Sequence, residues 1–149
     1  MKKFYLLFLF ILTSCSYEAI YSSKENDFAI IDIELINQNK VEKLIARNLK
    51  NLTDKKNKNK FYKLKIKGTK EILIVSKDNT GDAKIFNMSI KTNISILKDN
   101  KEINNLNLSK NFSYKNMSNK FDLKQYENNI QENLINEIIK DINLKLHSI

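Results

Sequence analysis

Residues 86–96 read "FNMSIKTNISI". Phe86, Met88, Ile90, Thr92, Ile94 and Ile96 stand at every second position, with Asn87, Ser89, Lys91, Asn93 and Ser95 between them. A strand turns successive side chains to opposite faces, so a period of two sustained this long builds one apolar face and one wet face. Such a strand needs a cover on one side only, which describes a sheet with helices on one face and water on the other. Asp78-Asn79-Thr80-Gly81 precedes it as a turn signal, and Asp99-Asn100 follows it as another.

The same period recurs on either side. Tyr62, Leu64 and Ile66 alternate with Lys63, Lys65 and Lys67, which predicts a second strand. Gly68-Thr69 is expected to bulge or break it before "EILIVS", residues 71–76. A further strand is expected over Leu106 to Tyr114. There Lys110 shares the parity of Leu108, Phe112 and Tyr114, so a bulge or an edge position is expected. The earliest strand spans Phe28 to Ile36, with Ala29, Ile31, Ile33 and Leu35 on one face against Ile30, Asp32 and Glu34.

Two segments carry helical spacing. Val41, Leu44, Ile45, Asn48, Leu49 and Leu52 form the first stripe, opened by Asn39 and Glu42 in capping-box relation. The second runs through Tyr126, Ile130, Leu134, Ile138, Ile142 and Leu146, widened by Ile135 and Ile139. Asp122 is its expected N-cap, with Gln125 three residues on and Phe121 and Tyr126 at the staple positions. Residues 53–60, "TDKKNKNK", are a polar connector. The predicted fold is α+β: a two-layer sandwich in the order β-α-β-β-β-α, a mixed four-stranded sheet with two helices on one face. The helical crossover makes the first two strands parallel, and hairpins add the rest.

The front of the chain is of another kind. Met1-Lys2-Lys3 is followed by an uncharged apolar run from Phe4 to Leu12, the pattern of an export signal and too short for a permanent span. Leu12-Thr13-Ser14-Cys15 resembles the lipobox of bacterial lipoproteins. That resemblance implies cleavage after Ser14 and acylation of Cys15, the only cysteine. The following residue is Ser16 rather than Asp, which in such lipoproteins points to the outer membrane. The chain thus divides into a signal peptide (1–14), a lipidated N-terminus and tether (15–27) and one α+β domain (28–149).

The formal charge of +9 rests on 26 Lys and Arg against 17 Asp and Glu, and loss of Lys2 and Lys3 brings it to +7. Nucleic acid is a poor partner for this surplus, because Arg47 is the only arginine and export removes the chain from nucleic acid. A chain rich in Asn, Lys and Ile and lacking Pro and Trp also carries the mark of nucleotide bias in its genome.

No catalytic constellation emerges. His147 is the only histidine and lies at the C-terminus, so no zinc set can be assembled and no metal or other cofactor is expected beyond the lipid on Cys15. Asp32 and Glu34 sit on the wet side of a strand, where pairing with lysines of a neighbouring strand is expected. The two glycines, Gly68 and Gly81, supply no phosphate-cradling loop. An enzyme is not expected.

The opening "SCSYEAIYSS" is similar to the C-G-aromatic-x-P-L-Y start of the alphaproteobacterial LPS-assembly lipoproteins, the LptE family. Cys15, Tyr17 and Tyr21 match it, whereas Ser16, Ala19 and Ile20 depart from its Gly, Pro and Leu. "FYKLKI", the Asp78–Gly81 turn, the strand over 84–97, "NFSY" and a terminal helix ending in "INLKL" follow the family's order. The resemblance implies a non-catalytic outer-membrane lipoprotein on the periplasmic side. Such a protein plugs the LPS-translocating β-barrel, its LptD-type partner, and helps deliver lipopolysaccharide to the outer leaflet. It makes Lys63, Lys65, Lys67, Lys84 and Lys91 the candidates for lipopolysaccharide phosphate. The bland reading of these lysines is a solvated face with cross-strand charge pairs. The competing function is a periplasm-facing scaffold or an accessory subunit of another envelope or secretion complex.

Overall fold

The computed structural model describes residues 27–52 and 58–149. The signal peptide, Cys15 and most of the tether lie outside the described residues, as does most of the polar connector.

Four strands and two helices follow in the expected order: β1 (Phe28–Leu35), α1 (Lys40–Leu49, extended by a 3-10 turn over Lys50–Leu52), β2 (Lys60–Lys77), β3 (Ala83–Lys98), β4 (Lys101–Lys115) and α2 (Lys120–His147). The sheet order is β1-β2-β3-β4, with β1 parallel to β2 and the other neighbours antiparallel. The fold is the α+β arrangement with one parallel pair that the periodicities predict.

The period of two on β3 is realised as read. Met88, Ile90, Ile94 and Ile96 are buried on the inner face together with Tyr62, Leu64 and Ile66 of β2. From the helices, Val41, Ile45 and Leu49 of α1 join Ile130, Leu134, Ile135, Ile138, Ile142 and Leu146 of α2 in the same core. Each fully buried aliphatic side chain contributes roughly 1.5–3 kcal/mol. A helix of 28 residues with this stripe is therefore held by the sheet rather than by its own propensity.

Three local readings are corrected and one is narrowed. On β1 the register against β2 shifts between Ile30 and Asp32, so Ile31 is a bulge residue and points outward. Phe28, Ala29 and Ile30 are all buried before the bulge, and Ile33 and Leu35 are partly buried after it, so of the expected apolar face only Ile31 is exposed. An extra residue reverses parity, which a strict alternation cannot anticipate.

Gly68 does not interrupt β2, which pairs with β3 from Lys63 to Lys77 straight through Gly68 opposite Thr92. The irregularity lies further on, between Ile74 and Lys77. Gly68 is where α1 comes nearest: a Cβ there would stand 3.2 Å from Val41 Cγ1 and 3.4 Å from Glu42 Cγ.

For Lys110 the expected edge position holds, and no bulge is needed. The residue keeps its place opposite Ile90 on edge strand β4, and its Nζ reaches Asp141 Oδ2 of α2 at 2.8 Å. That hydrogen bond holds the Lys110 ammonium above its ordinary pKa.

The N-cap of α2 is Asn119 rather than Asp122, its side chain accepting from the N–H groups of Phe121 and Asp122. Asp122 falls in the first turn, where a carboxylate suits the helix dipole.

The turns are as read. Asp99 and Asn100 take positive φ of 51° and 62°, the geometry of a two-residue hairpin loop. Gly81 has φ 91° and opens into empty space, while Asp78 closes the other hairpin by accepting from Thr80 Oγ1 and the N–H groups of Thr80 and Asp82. The Thr80 hydroxyl, before the backbone donors, lowers the Asp78 carboxyl pKa.

Candidate functional site

Among the described residues no helix covers the outer face of the sheet, which is lined with short polar side chains. Asn93 Nδ2 donates to Asn105 Oδ1 and Asn107 Oδ1 at 2.7 Å each, and Asn105 Nδ2 donates to Ser95 Oγ at 3.1 Å. Asn87 Nδ2 donates to Ser113 Oγ at 2.9 Å nearer the other end. Alternation on β3 and β4 places these residues across from one another, so the ladder follows from register.

Lysines rim this surface. On β2, Lys63, Lys65 and Lys67 share the outward parity, and the register sets Lys67 opposite Asn93 and Thr69 opposite Lys91. Between Lys67, Lys91, Asn93, Asn107 and Ser109 lies a shallow depression of about 400 Å³. Lys65 Nζ is 3.0 Å from Glu34 Oε2, the cross-strand pairing expected of that carboxylate. Lys63 Nζ donates to Asn100 Oδ1 at 3.0 Å, and Lys91 stands 4.0 Å from Glu71. Lys67 has no acidic partner among the described residues.

Of the five sequence candidates, the fold therefore brings Lys67 and Lys91 to one depression. Lys63 and Lys65 extend along the same strand, each engaged by a neighbour. Lys84 is apart from them: it sits seven positions before Lys91 on β3, roughly 23 Å away at about 3.3 Å per residue. It borders a separate hollow with Asp78, Lys115 and Lys120.

A second basic cluster, on the inner side, went unread in the sequence. Lys70 of β2 donates from Nζ to Gln131 Oε1 of α2 at 2.8 Å, with Lys124 and Lys40 close by. Burial lowers the Lys70 pKa, and the charges of Lys124 and Lys40 add to the shift. These three lysines come from β2, α2 and the first position of α1, so only tertiary packing unites them. The one available hint is the parity of Lys70, which matches Tyr62, Leu64 and Ile66.

Chemically, the outer surface offers point charges and amide dipoles. Among the described residues no group of three or more His, Cys, Asp or Glu is placed to hold a metal ion. His147, exposed at the end of α2, sets its ring edge-on to Phe28, with centroids 5.0 Å apart. No helix among the described residues is long and apolar enough to cross a membrane.

No family model matches the chain, and no curated protein matches it in sequence. Solved structures match in shape. A minor lipoprotein of Acinetobacter baumannii aligns with a TM-score of 0.60 at 15% identity, over 80% of this chain and 90% of that one. A lipoprotein of Caulobacter crescentus aligns with a TM-score of 0.57 at 16% identity, over 78% and 88%. The rare lipoprotein B of Shewanella oneidensis aligns with a TM-score of 0.55 at 11% identity, over 76% and 95%. At these identities the likeness establishes a common fold.

Proposed function

We propose that this chain is a non-catalytic lipoprotein of the outer membrane, anchored through Cys15 and facing the periplasm. It assembles with and plugs the LPS-translocating β-barrel and helps pass lipopolysaccharide to the outer leaflet. The observation that carries this reading is the outer sheet face: an amide-lined surface, uncovered by any helix among the described residues, rimmed by Lys65, Lys67 and Lys91 around a shallow depression. A water-filled barrel lumen is a fitting environment for such a face, and clustered ammonium groups attract phosphate as point charges. The L-T-S-C motif and the lipoproteins that share the fold support the anchored location.

The lysines divide by geometry. Lys67 and Lys91 are assigned to lipid phosphate directly. Lys63 and Lys65 extend the positive field along β2, and Lys84 serves a second contact at the hairpin end. Lipid A binding by the full chain tests the assignment. Lys67→Glu with Lys91→Glu should weaken binding about tenfold or more, because an opposed charge replaces an attractive one at each position. Unaltered binding by that double variant, and by the variant reversing all five lysines, would refute the assignment.

A further inference from the structure

Strand β2 outruns its neighbour. β1 ends at Leu35 opposite Ile66, and the chain then turns away, Ile36 N bonding to Ile66 O at 3.0 Å. The next backbone groups on that edge belong to Gly68, and α1 satisfies both: its N–H donates to Glu42 Oε1 at 2.9 Å and its C=O accepts from Asn39 Nδ2 at 2.6 Å. Backbone direction alternates with period two, so Lys70, Ile72 and Ile74 turn their N–H and C=O to the same edge. Among the described residues no strand pairs with β2 there.

Among the described residues, this open stretch holds the longest run of exposed large apolar side chains. Leu73, Ile74 and Val75 are 53%, 52% and 59% exposed, and Ile72 is also exposed. Edge strands are ordinarily protected by charge, proline or a bulge, since free backbone groups recruit another strand. Here the bulge comes only after Ile74, leaving the ladder open from Lys70 to Ile74. At its head stand three lysines about one carboxylate, a surplus of positive charge: Lys70, bonded to Gln131 Oε1 at 2.8 Å, Lys40, and Lys124, 3.8 Å from Glu127 Oε2.

We infer that the Lys70–Ile74 edge is a docking site for an extended, acidic segment of a partner protein, which joins the sheet as a fifth strand in line with β1. The free ladder selects a polypeptide, because it offers backbone donors and acceptors in strand geometry. Ile72 and Ile74 select aliphatic side chains at alternate positions. The lysine cluster selects carboxylates at the end of the segment that lies against α1. A second copy of this chain is the wrong occupant: its own edge, Lys70-Glu71-Ile72-Leu73-Ile74, offers a single carboxylate, which already stands 4.0 Å from Lys91. This inference stands apart from the lipopolysaccharide reading, which uses the other face.

The test uses the full chain and two acetylated, amidated peptides, Glu-Glu-Val-Thr-Val-Thr-Val and its Lys-Lys counterpart. Amide NMR reads binding residue by residue. The acidic peptide should slow hydrogen exchange at Ile72 and Ile74 and bind about tenfold more tightly than the basic one, a preference that shrinks with salt. Ile72→Pro removes an edge donor without touching the β3 ladder and should abolish the effect, with unchanged circular dichroism showing an intact fold. Lys70→Glu should invert the peptide preference and keeps the test valid if the proline variant unfolds. Equal binding of the two peptides, or none, overturns the inference. So does dimerisation through this edge, or protection of the same amides by anionic phosphatidylglycerol vesicles in place of the peptide.

Discussion

Glu42 Oε1 accepts the N–H of Gly68 at 2.9 Å, tying the first turn of α1 to the middle of β2 across 26 residues of sequence. The other oxygen, Oε2, accepts from the N–H groups of Asn37 and Gln38 at 2.9 and 2.8 Å, and the whole side chain is buried. Sequence reading places Glu42 in a capping box, and the structure extends that role to a clamp on the sheet. Without it, three backbone donors lose their acceptor. Glu42→Ala should cost about 2–4 kcal/mol in urea unfolding, and Glu42→Gln less, since one carbonyl oxygen remains. An unchanged unfolding midpoint for the alanine variant would show that the clamp contributes nothing.

Gly68 has a steric reason to lack a side chain. A methyl group there meets Val41 Cγ1 at 3.2 Å, and Val41 is itself buried. Gly68→Ala should destabilise by about 1–2 kcal/mol through overpacking. Adding Val41→Ala makes room, so the double variant should cost less than the two single changes together. Strict additivity would place the cause elsewhere.

Much of the fold was legible because its largest elements keep a clean period. β3 never slips its alternation between Phe86 and Ile96, and α2 repeats its apolar stripe from Ile130 to Leu146. What escaped was set by contacts distant in sequence. Ile31 breaks parity through a bulge against β2, and Gly68 is read as a break when it marks the approach of α1. Lys110 looks misplaced until Asp141 of α2 comes alongside. The candidate site divides the same way: parity alone puts Lys63, Lys65, Lys67 and Lys91 on one face, whereas nothing local joins Lys40, Lys70 and Lys124.

Thr92 faces the core beside Gly68 with its hydroxyl buried and without a hydrogen-bond partner among the described residues. Valine has the same shape and no polar atom to desolvate. Thr92→Val should therefore stabilise the protein by about 0.5–1.5 kcal/mol, seen as a raised urea midpoint with an unchanged slope. A destabilised variant would mean that the hydroxyl has a partner after all.

Tyr114 Oη donates to Glu127 Oε1 at 2.8 Å, and its ring packs edge-on to Tyr126. Burial first, then the Glu127 bond and charge, raise the phenol pKa above its ordinary value of 10.0. The folded chain therefore holds this proton more tightly than the unfolded one. The resulting stability is whole below pH 10.0 and is lost as pH climbs through the raised folded value. At neutral pH Tyr114→Phe should be about 1 kcal/mol less stable than the native chain, and the gap should close above about pH 10. A gap that stays constant to about pH 11.5 would contradict the assignment.

The central claim is that the chain works as an acylated partner of an outer-membrane barrel. It is tested most directly by purifying the acylated full-length protein from its native membranes after crosslinking at Asn93, on the outer sheet face. The account predicts an adduct with a large LPS-translocating β-barrel, from a chain whose mature N-terminus is lipidated Cys15. Recovery of an unprocessed chain beginning at Met1, or of the lipidated chain crosslinked to a different envelope complex and to no barrel, would contradict it.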